Sequence, residues 1–97
     1  MNVQIFKLLT GEEIIAEVVA SDADSVSLTN ALCVILQPTK DGQVNYGFLP
    51  WGQLFDGDRV VPNKFIVTSG TPKGDVLNNY QSIFGGIVTP PKTLITG

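Results

Sequence analysis

A chain of 97 residues makes one domain with room for a single modest core. With 43% hydrophobic and only 15% charged residues, a lone small domain would be left with much apolar surface, which points to self-association. The net charge of −3, with six basic residues that form no run, argues against a protein that coats duplex nucleic acid through its phosphates.

In residues 3–9, Val3, Ile5 and Leu9 alternate with Gln4, Phe6 and Leu8, Lys7 marks the wetter face, and a strand is expected. Because the start alternates instead of running apolar, no leader is expected. No stretch reaches membrane-spanning length, so the expectation is a soluble, cytoplasmic protein with no membrane partner. Thr10-Gly11-Glu12 reads as a tight turn. Residues 13–20 form a second strand rich in Ile and Val, and Ser21-Asp22-Ala23-Asp24 the next turn. Residues 25–36 give the clearest strand, with Val26, Leu28, Leu32, Val34 and Leu36 expected on one face. From Cys33 and Ile35 onward both faces are apolar, which suits a strongly bent barrel strand or one entering a subunit interface.

Pro38 to Gly42 is a hairpin loop, residues 44–51 a fourth strand, and Gly52 to Asp58 a loop. Residues 60–68 are expected as a fifth strand, with Pro62 near its start, where an edge tolerates proline. One helix follows, capped by Asp75 and running to Phe84, with Val76, Tyr80, Ile83 and Phe84 expected to bury. Gly85-Gly86 would stop it, Pro90-Pro91 would prevent a restart, and residues 89–97 read as a loosely held tail beyond a single domain at 1–88. The pattern predicts a mainly all-β fold: a small five-stranded SH3-like or Sm-like open barrel with one short C-terminal helix at about 75–84.

The chemistry that the residues permit is narrow. Without histidine, Ser–His–Asp and Cys–His catalysis are excluded, and so are zinc sites of Cys and His. The one cysteine, Cys33, sits in an apolar run and reads as a small buried hydrophobe. Glu12-Glu13, Asp22 with Asp24, and Asp56-Gly57-Asp58 read as solvated turn carboxylates; the last lacks the further acidic positions of a calcium loop. Pro72-Lys73-Gly74-Asp75 lacks the spaced glycine and Lys-Ser/Thr pair of a phosphate loop. The expectation is a protein with no catalytic residues, no cofactor, no metal and no small-molecule substrate. Phe48-Leu49-Pro50-Trp51 is the densest aromatic group and is expected to pack in the core or between subunits.

The run from Leu8 to Val18 with its glycine turn, followed by Asp22 and then Val26-Ser27-Leu28-Thr29-Asn30-Ala31, resembles the first motif of Sm-like proteins. Phe48-Leu49-Pro50-Trp51, a short acidic loop, and Asn79-Tyr80 with Gly85 resemble small uncharacterised Sm-like proteins of tailed phages, of cyanophage type. The resemblance covers most of residues 1–88. It implies an open barrel whose edge strands pair with neighbouring copies to close a ring of roughly five to seven subunits, a self-assembly that removes the exposed edges. It also implies single-stranded RNA as a partner near the pore. Carried over by position, Asp22 takes the family's Asp and Ser25 its Asn, while Ala23 and Asp24 occupy the stacking region in a turn one residue short. For the family's Arg-Gly the candidates are Ser69-Gly70 and Gly57-Asp58-Arg59, the latter in reversed order, which makes Asp22, Asp24, Ser25 and Arg59 the candidate nucleic-acid site. In the Sm-like family a helix usually precedes the strands, whereas here it follows them. Two readings of function stand side by side: a ring that associates with RNA, and a structural or adaptor subunit of phage assembly or host interaction that binds no nucleic acid.

Overall fold

The computed structural model describes residues 2–52 and 54–84. Gly85-Gly86, Pro90-Pro91 and the tail lie outside the described residues. The elements follow the alternation in the sequence: β1 (Val3–Leu8), β2 (Glu13–Ser21), β3 (Ser25–Pro38), β4 (Val44–Pro50), β5 (Arg59–Pro62), β6 (Ile66–Gly70) and α1 (Gly74–Phe84). Glycine opens the first hairpin because Gly11 holds a φ of +95°, where a Cβ would be strained. The sheet runs β4-β3-β2-β1-β6, with β5 pairing the first half of β3, and every pairing is antiparallel. The chain is thus mostly β, with an open sheet and one short helix.

The bend expected in the third strand has a definite place. β3 pairs β5 through Ser25–Leu28 and β4 through Leu32–Pro38. Between them Asn30 adopts φ 52°, and three steps along β3, from Thr29 to Leu32, face two along β2, from Glu17 to Ile15. This bulge inserts one residue and reverses the alternation. The expectation of one shared face for Val26, Leu28, Leu32, Val34 and Leu36 is therefore wrong. Val26, Leu28 and Ala31 enter the barrel core with Phe6, Leu8, Ile14, Ala16 and Val61. Leu32 and Val34 instead join Val3, Ile15 and Tyr80 in a second cluster, and Leu36 is exposed. Leu9, expected as the last residue of the first strand, lies in the turn beyond β1 and is exposed.

The run expected as one fifth strand is two. Pro62 offers no N–H, and Asn63–Phe65 forms a single 3-10 turn. That turn lets the chain leave β3, which β5 pairs, and cross to β1, which β6 pairs.

Helix α1 covers the second cluster. Tyr80 is fully buried, and Val76, Leu77 and Phe84 pack around it with Ile5, Val34 and Phe48. The Tyr80 and Phe84 rings meet at 5.1 Å, one turn apart. Burial and the Glu17 carboxylate push the Tyr80 phenol up to about 12, and its hydroxyl donates to the Asn30 carbonyl at 2.7 Å. The helix is thereby fastened to the bulge. Two details of the expected helix are corrected. It starts at Gly74, so Asp75 sits within the first turn instead of capping it. Ile83 is 55% exposed, and Leu77 takes the inward place expected for it. Cys33 is half-buried and not in the core. Its thiol is pushed up by desolvation and then by Glu12, so it stays protonated and unreactive at neutral pH.

Candidate nucleic-acid interface

The turn between β2 and β3 is built by its own aspartate. Asp22 Oδ1 accepts from the backbone N–H of Asp24 at 2.7 Å and of Ser25 at 2.9 Å. These two bonds, that to Asp24 first, hold the exposed carboxyl below the usual carboxylate range. The Asp22 N–H donates to the Ser25 carbonyl at 2.9 Å and closes the turn. Asp22 is therefore partly occupied in shaping the backbone. Asp24 is exposed and Ser25 half-buried.

The 3-10 turn is locked to this one. The Asn63 N–H donates to the Asp24 carbonyl at 2.8 Å, and Asn63 Nδ2 donates to the Asp22 carbonyl at 3.0 Å. Ser25 and Pro62 are register partners directly beside them. Lys64 follows, with its ammonium 5.5 Å from the centre of the Phe65 ring. Beside the joined turns lies an open cleft of about 540 Å³. Asn2, Gln4, Ser21, Asp22, Asn63 and Ser69 contribute its polar lining, Phe6 and Val26 part of its apolar lining, and neither Lys nor Arg lines it.

Of the four residues expected at the site, the structure brings three together: Asp22, Asp24 and Ser25. Arg59 is elsewhere. It pairs with Leu28, three residues along β3 from Ser25, which is about 10 Å of strand. Its guanidinium turns back on its own loop, bonding the carbonyls of Asp56 and Gly57 and lying 4.3 Å over the Phe55 ring. A side chain bound to its own loop in this way is not the cation fork of the turn. Of the alternative Arg-Gly candidates, Ser69 reaches the cleft as a hydroxyl without charge. Asn63, bonded to the turn, and Lys64 after it are not among the expected residues; their signal is the polar pair after Pro62, which breaks an otherwise apolar run and marks a turn.

Among the described residues, no group of three or more His, Cys, Asp or Glu is placed to hold a metal ion. No described helix is long and apolar enough to cross a membrane. No curated protein matches the chain. A family model, the Sm_like domain, matches residues 5–81, which takes in all the strands but the first two residues of β1, both joined turns and most of α1. With that match over most of its length, the chain belongs to the Sm-like family.

Proposed function

We propose that the protein works as a non-enzymatic, homo-oligomeric ring of roughly five to seven copies that associates weakly with RNA. The observation that carries the ring is the pair of sheet edges. Among the described residues, the outer sides of β4 and β6 pair with no other strand. Exposed apolar side chains flank both: Leu36, Val44 and Leu49 on the β3–β4 hairpin, and Leu9, Phe65 and Val67 on the β6 side. An edge of that kind invites another chain, and one subunit's β4 joining the next subunit's β6 closes a cycle that covers both of these edges.

The RNA part rests on family membership and on the joined turns, where Asp22, Asp24, Ser25 and Asn63 meet. Ser25 offers one hydroxyl where an Asn would offer donor and acceptor, so base reading is poor. Two aspartates repel phosphate, and Lys64 is the nearest cation along the chain. Binding to short uridine-rich or adenine-rich RNA is expected no tighter than roughly micromolar at physiological salt. The carboxylates of the turn, and a cleft lined by Asp22 and by no Lys or Arg, favour a second reading, a structural or adaptor subunit of phage type that binds no nucleic acid.

The size of the purified particle, measured with and without ribonuclease, tests both readings. A ring that loses mass on treatment supports the first, and a ring of unchanged mass supports the adaptor. A monomer contradicts the ring.

A further inference from the structure

The partner of β3 is interrupted where β3 bends. Between the pairs Leu32–Pro50 and Leu28–Arg59, four steps along β3 face nine along the other chain segment, so an insertion stands out from the sheet. It is a built feature. The Phe55 N–H donates to the Gly52 carbonyl at 3.1 Å, and Arg59 clasps the carbonyls of Asp56 and Gly57 while stacking on Phe55. Gly52 is required beneath it, because at φ +71° a Cβ there would stand 2.9 Å from Arg59 Cδ. This frame holds two large apolar side chains in solvent: Leu54 is 94% exposed and Phe55 67%. A connection that only spanned the gap would need neither an apolar tip nor an arginine clasp.

We infer that Leu54 and Phe55 form a latch that seats on a second copy of this chain, against Phe65 and Val67 at the start of its β6. The inference rests on the ring reading. Every strand pair in the sheet is antiparallel. Joined in the same sense, the Pro50 end of one β4 lies beside the Ile66 end of the neighbour's β6. The latch, next along the chain after β4, then falls over the neighbour's Asn63–Phe65 turn. That surface is apolar as well: Phe65 and Val67 are exposed there as Leu54 and Phe55 are on the latch, so the strand pairing brings two exposed apolar pairs together.

The test pairs disruption with cross-linking. Leu54→Ser with Phe55→Ser is expected to lower the native mass from the ring to monomer or small oligomers at micromolar concentration, with the far-ultraviolet dichroism unchanged. In a Cys33→Ser background, Phe55→Cys with Phe65→Cys is expected to give a ladder of disulfide-linked copies on oxidation, while either cysteine by itself stops at dimers. A wild-type ring whose double-serine variant keeps its mass, and whose cysteine pair gives no ladder, overturns the latch and leaves the ring reading standing. A wild-type monomer overturns both.

Discussion

Helix α1 and the Leu54–Asp58 loop are both additions to the strands, both carry aromatic residues, and they use them in opposite ways. The helix turns Tyr80 inward until nothing of it is exposed and gives its hydroxyl a backbone acceptor. The loop spends its hydrogen bonds on its own frame and leaves Leu54 and Phe55 in water. An aromatic with both its ring and its polar atom satisfied within the chain serves folding. An aromatic held out by an organised frame is free for the contact between chains proposed above.

The largest effect expected from this contrast is at Tyr80. Tyr80→Ala removes a fully buried ring and should cost about 3–5 kcal/mol in chemical denaturation, as buried aromatic truncations do. Unchanged stability would mean that α1 does not hold the sheet. Tyr80→Phe keeps the ring and leaves the Asn30 carbonyl without its donor, so about 1 kcal/mol is expected.

Alkaline titration sharpens the same point. The folded phenol is raised to about 12 from an ordinary value of 10.0, so the folded state holds this proton more tightly than the unfolded one. Its contribution is whole below pH 10 and is lost as pH rises toward 12. Tyr80→Phe should flatten that loss, and an equal alkaline decline in the variant would assign it to other groups.

At the loop the expected change in chain stability is small. Substituting exposed Leu54 and Phe55 by serine should move the unfolding free energy of the dissociated subunit by about 0.5 kcal/mol or less. A large loss would place these side chains in the subunit's own fold and erase the contrast.

The smallest effects are expected at the joined turns. In fluorescence anisotropy with uridine-rich RNA, Lys64→Ala should weaken an already micromolar affinity several-fold, because it removes the cation nearest the turns. Arg59→Ala should leave it within about twofold, because that guanidinium is bound to its own loop. The reverse order would restore Arg59 to the site.

The strands and the helix were legible because their signals are local. Alternation marks β1 to β4, and the 3.6-residue spacing of Val76, Tyr80 and Phe84 marks α1. What was not legible depends on residues far apart. The carbonyl that Asn30 presents at the bulge is taken by a tyrosine fifty residues on, and no window around Asn30 contains that information. The split after Pro62 looked like an edge strand because Val60, Val61, Ile66 and Val67 continue the apolar run on both sides. Only the change of pairing partner from β3 to β1 makes a turn there necessary. The site followed the same rule. Asp22, Asp24 and Ser25 were visible as one short turn, whereas Asn63 reaches them across 41 residues. Arg59 stands out in the sequence as its one arginine, but the loop carbonyls that occupy it become adjacent only once the chain folds.

The central claim is that β4 and β6 are joined between copies, and residue-resolved amide hydrogen exchange of the native particle tests it directly. In an antiparallel edge strand, alternate amides point inward to a partner and outward to solvent. The account predicts slow exchange at successive amides across residues 44–49 and 66–70, comparable to those of β2, because the outward set is paired with the neighbouring copy. Fast exchange at every second amide along both strands, with protection confined to the inward set, would contradict it.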